Sequence, residues 1–371
     1  MTKFDISHCL KLARSENVGS STFFRLINIF NSPQNALSNI SEFAKSGGLK
    51  RNIKICSDEE VANELLLTSN FGAKIFSFYD EKYPKLLKNI SDPPPILTTK
   101  GNSELFSRDI IAIVGPRNAS FNAINTARNI ANKLGENNIV IASGLARGVD
   151  SIAHEASINL GTIAVIAGGI NHIYPQENHQ LYQKISENGL LVSENSFNFK
   201  PRGGNFIQRN RIIAGISLGV VIVEAGLKSG SLTTARFARS CDRDIFAVPG
   251  SPFDDRCKGS NRLIKEGAIL FEEIDDILRE IPRLKQKFKT TKMEEEHIDN
   301  FVAPQIKLPI DAELREISQE ILKKLSYSPT SIEVITNEIQ APIKFINIAL
   351  VQLELAGKIR VDFGNVVLQI S

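Results

Sequence analysis

The sequence predicts a doubly wound α/β protein with a mostly parallel sheet, carrying a small helical module before it and a winged helix after it. Three observations point there. Short β-branched runs recur between Ile110 and Phe271, and continuous apolar runs bounded by glycine mark strands buried on both faces. Amphipathic segments such as Ala123–Leu134 and Leu232–Ser240 lie between most of them. Alternating β and α implies parallel strands joined by right-handed crossovers. Several runs end in glycine at the carboxyl edge, where sheets of this kind bind ligands.

The elements follow in order. Residues 1–72 read as short helices, with apolar positions at helical spacing in Val18–Phe30 and a new start at Pro33. The phrase NVGSSTFFRLINIF puts a Gly–Ser turn ahead of an amphipathic helix. It fits a helix-hairpin-helix module or a plain helical bundle. Residues 73–282 form the α/β domain. It opens with a strand, a turn around Pro93–Pro95 and a second strand, both added to the sheet edge. Strands are then expected at 110–115, 139–144, 162–169, 190–194, 219–225, 244–250 and 268–271. Residues 283–310 read as a linker, basic over Arg283–Lys292 and acidic over Glu294–Glu296, with no clear apolar period. From Asp311 to Ser371, three helices and a hairpin turning at Phe363–Gly364–Asn365 make a winged helix.

Composition excludes several classes. Hydrophobic residues are 42% and charged residues 23% of the 371, ordinary for a soluble globular chain. The first residues are interrupted by Asp5, Lys11 and Arg14, so no signal-peptide core is expected. Apolar runs such as Gly219–Ala225 are far too short for a bilayer, so no membrane contact is expected. Cys9, Cys56, Cys241 and Cys257 are scattered, as in reduced cytoplasmic proteins. Five histidines without an H-E-x-x-H pattern give no zinc site, and neither metal nor cofactor is expected.

The chemistry concentrates in four segments. The first βα turn, VGPRNAS, lacks a dinucleotide fingerprint. It still offers backbone N–H groups at Gly115, the fork of Arg117 and the hydroxyl of Ser120 to a phosphate. The second, SGLARGVDSIAH, places Gly144 and Arg147 at the same edge, with Asp150 fit to cap the following helix. The stretch Lys200–Ser217 reads as a basic loop joining Lys200, Arg202, Arg209, Asn210 and Arg211 to Phe206. Bases stack on aromatic faces while cations track the backbone, the combination that suits single strands. Arg209, Asn210 and Arg211 also fit a second role, knitting the domain together. The last segment follows Glu224, which is either catalytic or holds its loop. Lys228, Ser229, Gly230 and Ser231 precede a helix whose free N–H groups suit an anion.

Charge agrees with that reading. Between Ser196 and Lys265, twelve Lys/Arg face five Asp/Glu, a net of +7 against +3 for the whole chain. That is the footprint expected for nucleic acid. From Asp311 on, six Lys/Arg meet eight Asp/Glu, a net of −2, which argues for protein contact rather than duplex DNA there.

The ordered motifs VGPRNAS, SGLARGVDSIAHEASI, TIAVIAGGINHIYPQENHQL, FIQRNRIIAGIS, VIVEAGLKSGSLTTARFA and GSNRLIKEGA together resemble the bacterial DNA-processing protein A (Smf) family over about residues 75–275. The resemblance implies an extended Rossmann-like fold, a homodimer and no enzymatic activity. It implies binding and protection of incoming single-stranded DNA, and loading of the RecA recombinase in natural transformation or homologous recombination. The family's DNA pocket uses the arginine of the first turn, here Arg117. It also uses basic and aromatic residues ahead of R-N-R, here Lys200 or Arg202, and Phe206. Pro116 departs from the family's Ser or Thr and removes one N–H donor. The rival is a nucleotide phosphoribohydrolase of the lysine-decarboxylase-like type. That class carries P-G-G-x-G-T-x-x-E, whereas AGLKSGSLTTAR has no Glu after its glycines.

Overall fold

A computed structural model describes residues 4–289, 311–325, 330–362 and 365–368. They fall into two compact units, one from residues 64–295 and the other from residues 1–63 and 296–371.

The larger unit is built on a nine-stranded sheet. Its strands are β1 (Ala73–Ser77), β2 (Ile96–Gly101), β3 (Ile110–Val114), β4 (Val140–Ser143), β5 (Thr162–Val165), β6 (Leu190–Ser193), β7 (Gly219–Ile222), β8 (Asp244–Ala247) and β9 (Ile269–Leu270). The order is β1-β2-β6-β5-β4-β3-β7-β8-β9. β1 and β2 pair antiparallel at one edge, where the sequence reading places two strands joined by a turn, and β2 runs antiparallel to β6. All other pairs are parallel. The chain steps outward from β3 to β6, then returns to the other side of β3 for β7 to β9. The reversal opens a crevice beyond the carboxyl ends of β3 and β7, the switch point of a doubly wound sheet.

Helices cover both faces. The N-terminal helices are α1 (Ile6–Ala13), α2 (Ser20–Phe30), α3 (Pro33–Ser46) and α4 (Asp58–Asn70). In the sheet unit come α5 (Lys85–Lys88), α6 (Phe121–Glu136), α7 (Val149–Ser157), α8 (His179–Asn188), α9 (Gly203–Ile216), α10 (Ser231–Ser240), α11 (Lys258–Lys265), α12 (Ile274–Glu280) and α13 (Pro282–Lys289). Alternate residues of β3 divide between two cores. Ile110, Ala112 and Val114 pack with α9, α10 and α11 through Ile212, Ala235 and Leu263. Ile111 and Ile113 pack with α6, α7 and α12 through Ala127, Ala153 and Ile277.

Two segments differ from the sequence reading. Lys200–Ser217 is mostly the helix α9 rather than a loop. Its inner half, Ile212–Ile216, is buried all round, so it shows no polar stripe and no helical period. Residues 283–289, read as linker, continue α13, whose Leu284 is buried in the core beside Ile281. The rest of that linker, residues 290–310, lies outside the described residues.

The second unit joins the chain's two ends. Its C-terminal part has α14 (Asp311–Lys324), α15 (Ile332–Glu338), α16 (Ile343–Leu355) and a three-stranded sheet. The strands β10 (Thr330–Ser331), β11 (Ile359–Asp362) and β12 (Asn365–Leu368) have the order β10-β12-β11. This is a winged helix. Of its predicted hairpin turn, Phe363 and Gly364 lie outside the described residues. The helix α16 packs against α2 and α3 as well as α14. Thr22 donates to Glu354 at 2.5 Å, and the Asn17 amide donates to the Leu355 carbonyl at 3.1 Å. Gly47 must be glycine, because a Cβ there would sit 2.3 Å from the Gln352 carbonyl oxygen.

Candidate nucleic-acid interface

Two adjoining cavities open at the switch point. The larger, about 650 Å³, runs from the first turn (Val114–Arg117) to the start of α10 (Ser229–Ser231, Thr234). The smaller, about 320 Å³, lies over the turn after β4 (Gly144–Arg147) and the loop Tyr174–Glu177. Arg117, Ala146, Tyr174, Phe206 and Arg209 line both.

Helix geometry explains which residues of α9 reach the crevice. Phe206, Arg209, Asn210 and Ile213 stand at i, i+3, i+4 and i+7, one face of a helix, and all line the larger cavity. Arg211 falls on another face. There its guanidinium is 2% exposed, 3.2 Å from the Asp92 carboxylate and hydrogen-bonded to Glu194. Burial alone would lower its pKa, but those two carboxylates hold it above the ordinary value.

The floor is a buried charge cluster. Asp150 accepts from the Gly144 and Ala146 N–H groups at 3.1 and 3.3 Å, and so shapes the second turn. Burial lifts its pKa, with the Arg209 charge opposing. Arg209 is itself buried and donates to the Val165 carbonyl. Burial lowers it to about 10, Asp150 acts in the other direction, and Arg117 adds to the lowering. A Cβ at Gly144 would sit 2.2 Å from the Arg209 guanidinium, so glycine is what lets that side chain lie across the turn. His154 beneath is driven to about 3 by burial and then by Arg209, and so stays neutral.

The walls are aromatic and cationic. The Arg117 guanidinium stands 5.5 Å from the Phe206 ring centroid, within cation–π reach. Tyr174 tilts against the same ring, 5.1 Å away at 54°. Opposite, α10 (Ser231–Ser240) follows Gly230, and its Ser231, Leu232 and Thr233 N–H groups turn back to oxygens of Ser229 and Gly230 at 3.4, 3.2 and 3.0 Å, so this end offers the cavity the positive pole of a helix. The Ser229 and Ser231 hydroxyls are 2.7 Å apart.

Of the expected site residues, Gly115, Arg117, Gly144, Arg147, Phe206, Arg209, Asn210, Ser229, Gly230 and Ser231 line one or both cavities. Lys200, Arg202 and Lys228 are exposed and adjoin lining residues in the chain. Arg202 is the N-cap of α9. Ser120 caps α6 through its hydroxyl, and its N–H donates to buried Glu224 at 3.2 Å. Glu224 thus braces the first turn rather than its own loop. Sequence reading missed Tyr174. It arrives on the loop after β5, which Asn178 ties to the Leu145 and Ala146 carbonyls at 3.0 and 3.2 Å. The Tyr-Pro pair beside a glycine-rich strand end was the available signal.

A doubly wound sheet with a cationic, aromatic-walled crevice at its switch point defines an α/β protein of the Rossmann-like class, here with helical and winged accessory modules. Residues 74–282 match the family model described as DNA recombination-mediator protein A. Residues 5–66 match the DprA-like N-terminal HHH domain, and 307–365 the DprA winged helix domain. The chain belongs to the DNA recombination-mediator protein A family. It is 42% identical to the DNA processing protein DprA of Bacillus subtilis over 57% of this chain and 72% of that one. It is 33% identical to Protein Smf of Synechocystis, with 77% of each covered. The crystal structure of DprA from Streptococcus pneumoniae superposes with TM-score 0.63 at 30% identity, covering 75% of this chain and 99% of that one. A structure describing the single-stranded DNA binding mode of the Helicobacter pylori protein superposes at 0.53 and 32% identity, covering 58% and 96%. Among the described residues no helix is long and apolar enough to cross a membrane.

Proposed function

We propose that this chain binds single-stranded DNA in the switch-point crevice, with Phe206 stacking a base and Arg117 and the α10 N-terminus holding phosphates. The observation that carries the reading is the face of α9, where Phe206 and Arg209 oppose the N-terminal end of α10 across one cavity. An aromatic plate beside fixed cations and the positive pole of a helix suits a strand whose bases are unpaired. Membership of a recombination-mediator family supports the wider role. In it, the protein acts in the cytoplasm as a homodimer without catalysis, protects incoming strands and loads the RecA recombinase onto them in transformation or homologous recombination.

The test is fluorescence anisotropy with a labelled oligothymidylate and with the same length of duplex. The single strand is expected to bind at least tenfold tighter. Arg117→Ala and Phe206→Ala are each expected to weaken it by about 1–3 kcal/mol. Unchanged affinity in both variants would overturn the pocket.

A further inference from the structure

Among the residues that line the larger cavity is one imidazole, that of His172 on the loop after β5. The loop is tied to the segment after β6. The Gly169 N–H donates to the Phe199 carbonyl at 2.9 Å, the Asn195 amide to the Ala167 carbonyl at 2.9 Å, and the Asn171 amide to Asn198 at 2.7 Å. Gly168 makes room for the ring. A Cβ there would stand 3.0 Å from the imidazole and 3.1 Å from Pro201, so both rings lie against bare backbone. His172 is half-buried, and among the described residues its imidazole has no hydrogen-bond partner. Its surroundings are cationic. Exposed Lys200 and Arg202 flank Pro201, and Arg117 and Arg209 line the same cavity. Tyr174 and Asp150 are the other titratable groups of the lining. Asp150, its one carboxylate, is buried and accepts from the Gly144 and Ala146 N–H groups. A phosphate in this cavity therefore meets the imidazole with no free carboxylate between them. Of these side-chain types, histidine alone ordinarily changes charge between about pH 5 and 8.

We infer that His172 contacts a phosphate of the strand in its protonated form and makes single-strand binding tighten as pH falls. This rests on the proposed strand binding and adds to it a residue that varies the charge of the site. A phosphate beside the ring favours the imidazolium, so binding the strand takes up a proton. Affinity is then greatest at low pH and falls as pH rises through the range in which histidine loses its charge.

The experiment is anisotropy on the full chain at about pH 5.5 and about pH 7.5, each across a salt series. The probe is a labelled oligothymidylate without terminal phosphates, so that nothing on the strand titrates in this range. The wild type is expected to bind about tenfold tighter at the lower pH, the low end of what one hydrogen bond to a charged group contributes. Its slope of log K against log salt is expected to steepen there by about 0.7, one further phosphate neutralised. His172→Gln keeps a polar side chain without the charge. It is expected to match the wild type within about twofold at the higher pH and to lose both the pH response and the change of slope. His172→Lys is expected to bind at the higher pH as tightly as the wild type does at the lower one. His179→Gln, at the exposed start of α8 outside the lining of both cavities, is expected to keep the wild-type response. A pH response that survives in His172→Gln, or a His172→Gln weakened by the same factor at both pH values, overturns the phosphate contact and leaves the strand site standing. So does a wild type that binds the strand equally at both. A wild-type chain that binds no strand overturns the strand site as well.

Discussion

Two residues apart on one helix, Arg209 and Arg211 are both buried, and their neighbours give them different work. Arg209 lies across Gly144 at the cavity floor, near the carboxylate of Asp150, and lines both cavities. Arg211 stands outside them, between Asp92 and Glu194. Removing one partner of a buried ion pair leaves charge uncompensated and costs ~3–5 kcal/mol. Asp92 and Glu194 keep some access to water, so the low end applies. Arg211→Met is therefore expected to lower the free energy of unfolding by about 3 kcal/mol in urea denaturation. The folded fraction should bind a single strand as the wild type does. Normal stability with weakened binding would instead make Arg211 a strand contact.

At the scale of elements, burial decides what sequence pattern can reveal. The strands of the parallel sheet were legible because β-branched runs such as Ile110–Val114 and Gly219–Ile222 need no polar face when helices cover both sides. The helix α9 was not, because a Gly-Gly start and a fully buried inner half erase the period. Its site residues were legible by type, as Phe and Arg in one basic stretch. Their grouping on one face, with Arg211 excluded, required the helix. Tyr174 left only the signal of a Tyr-Pro pair after a glycine-rich strand end, since the loop after β5 brings it to Phe206 through contacts between non-neighbouring segments. The helix α16, expected from the sequence as the third helix of the winged module, is also largely buried. In a helix-turn-helix pair, the second helix enters the major groove, and here that is α16. Past Asn347, however, its side chains are buried or half-buried, and α2 and α3 cover part of it. Only its first turn and Asn347 remain exposed for a duplex. Lys344→Ala is accordingly expected to leave duplex affinity within about twofold in a competition assay, because one surface cation contributes little without a recognition face. A large loss of duplex binding would show that α16 reads DNA despite its burial.

At the scale of the molecule, net charge is small and its placement carries the physics. The chain's formal charge is +3, while Ser196–Lys265 alone holds +7. A molecule with so weak an average field gains little long-range attraction for a polyanion, so strand affinity must come from local phosphate neutralisation. Arg117, Lys200, Arg202 and Lys228 are exposed cations in or next to the crevice, and Arg147, also exposed there, pairs with Glu177 at 3.6 Å. Each phosphate neutralised on a single strand contributes about −0.7 to the slope of log K against log salt. If all four engage, the slope is about −2.8, a loss of roughly 50-fold between about 50 and 200 mM salt. Stacking is insensitive to salt, which separates the two kinds of contact. Phe206→Ala should lower affinity at every salt concentration and leave the slope unchanged, whereas Arg117→Ala should flatten it by about 0.7. Anisotropy titrations across a salt series measure both. A slope near zero for the wild type, or one that Phe206→Ala changes and Arg117→Ala does not, would mean that the cations of this crevice do not hold the strand's phosphates.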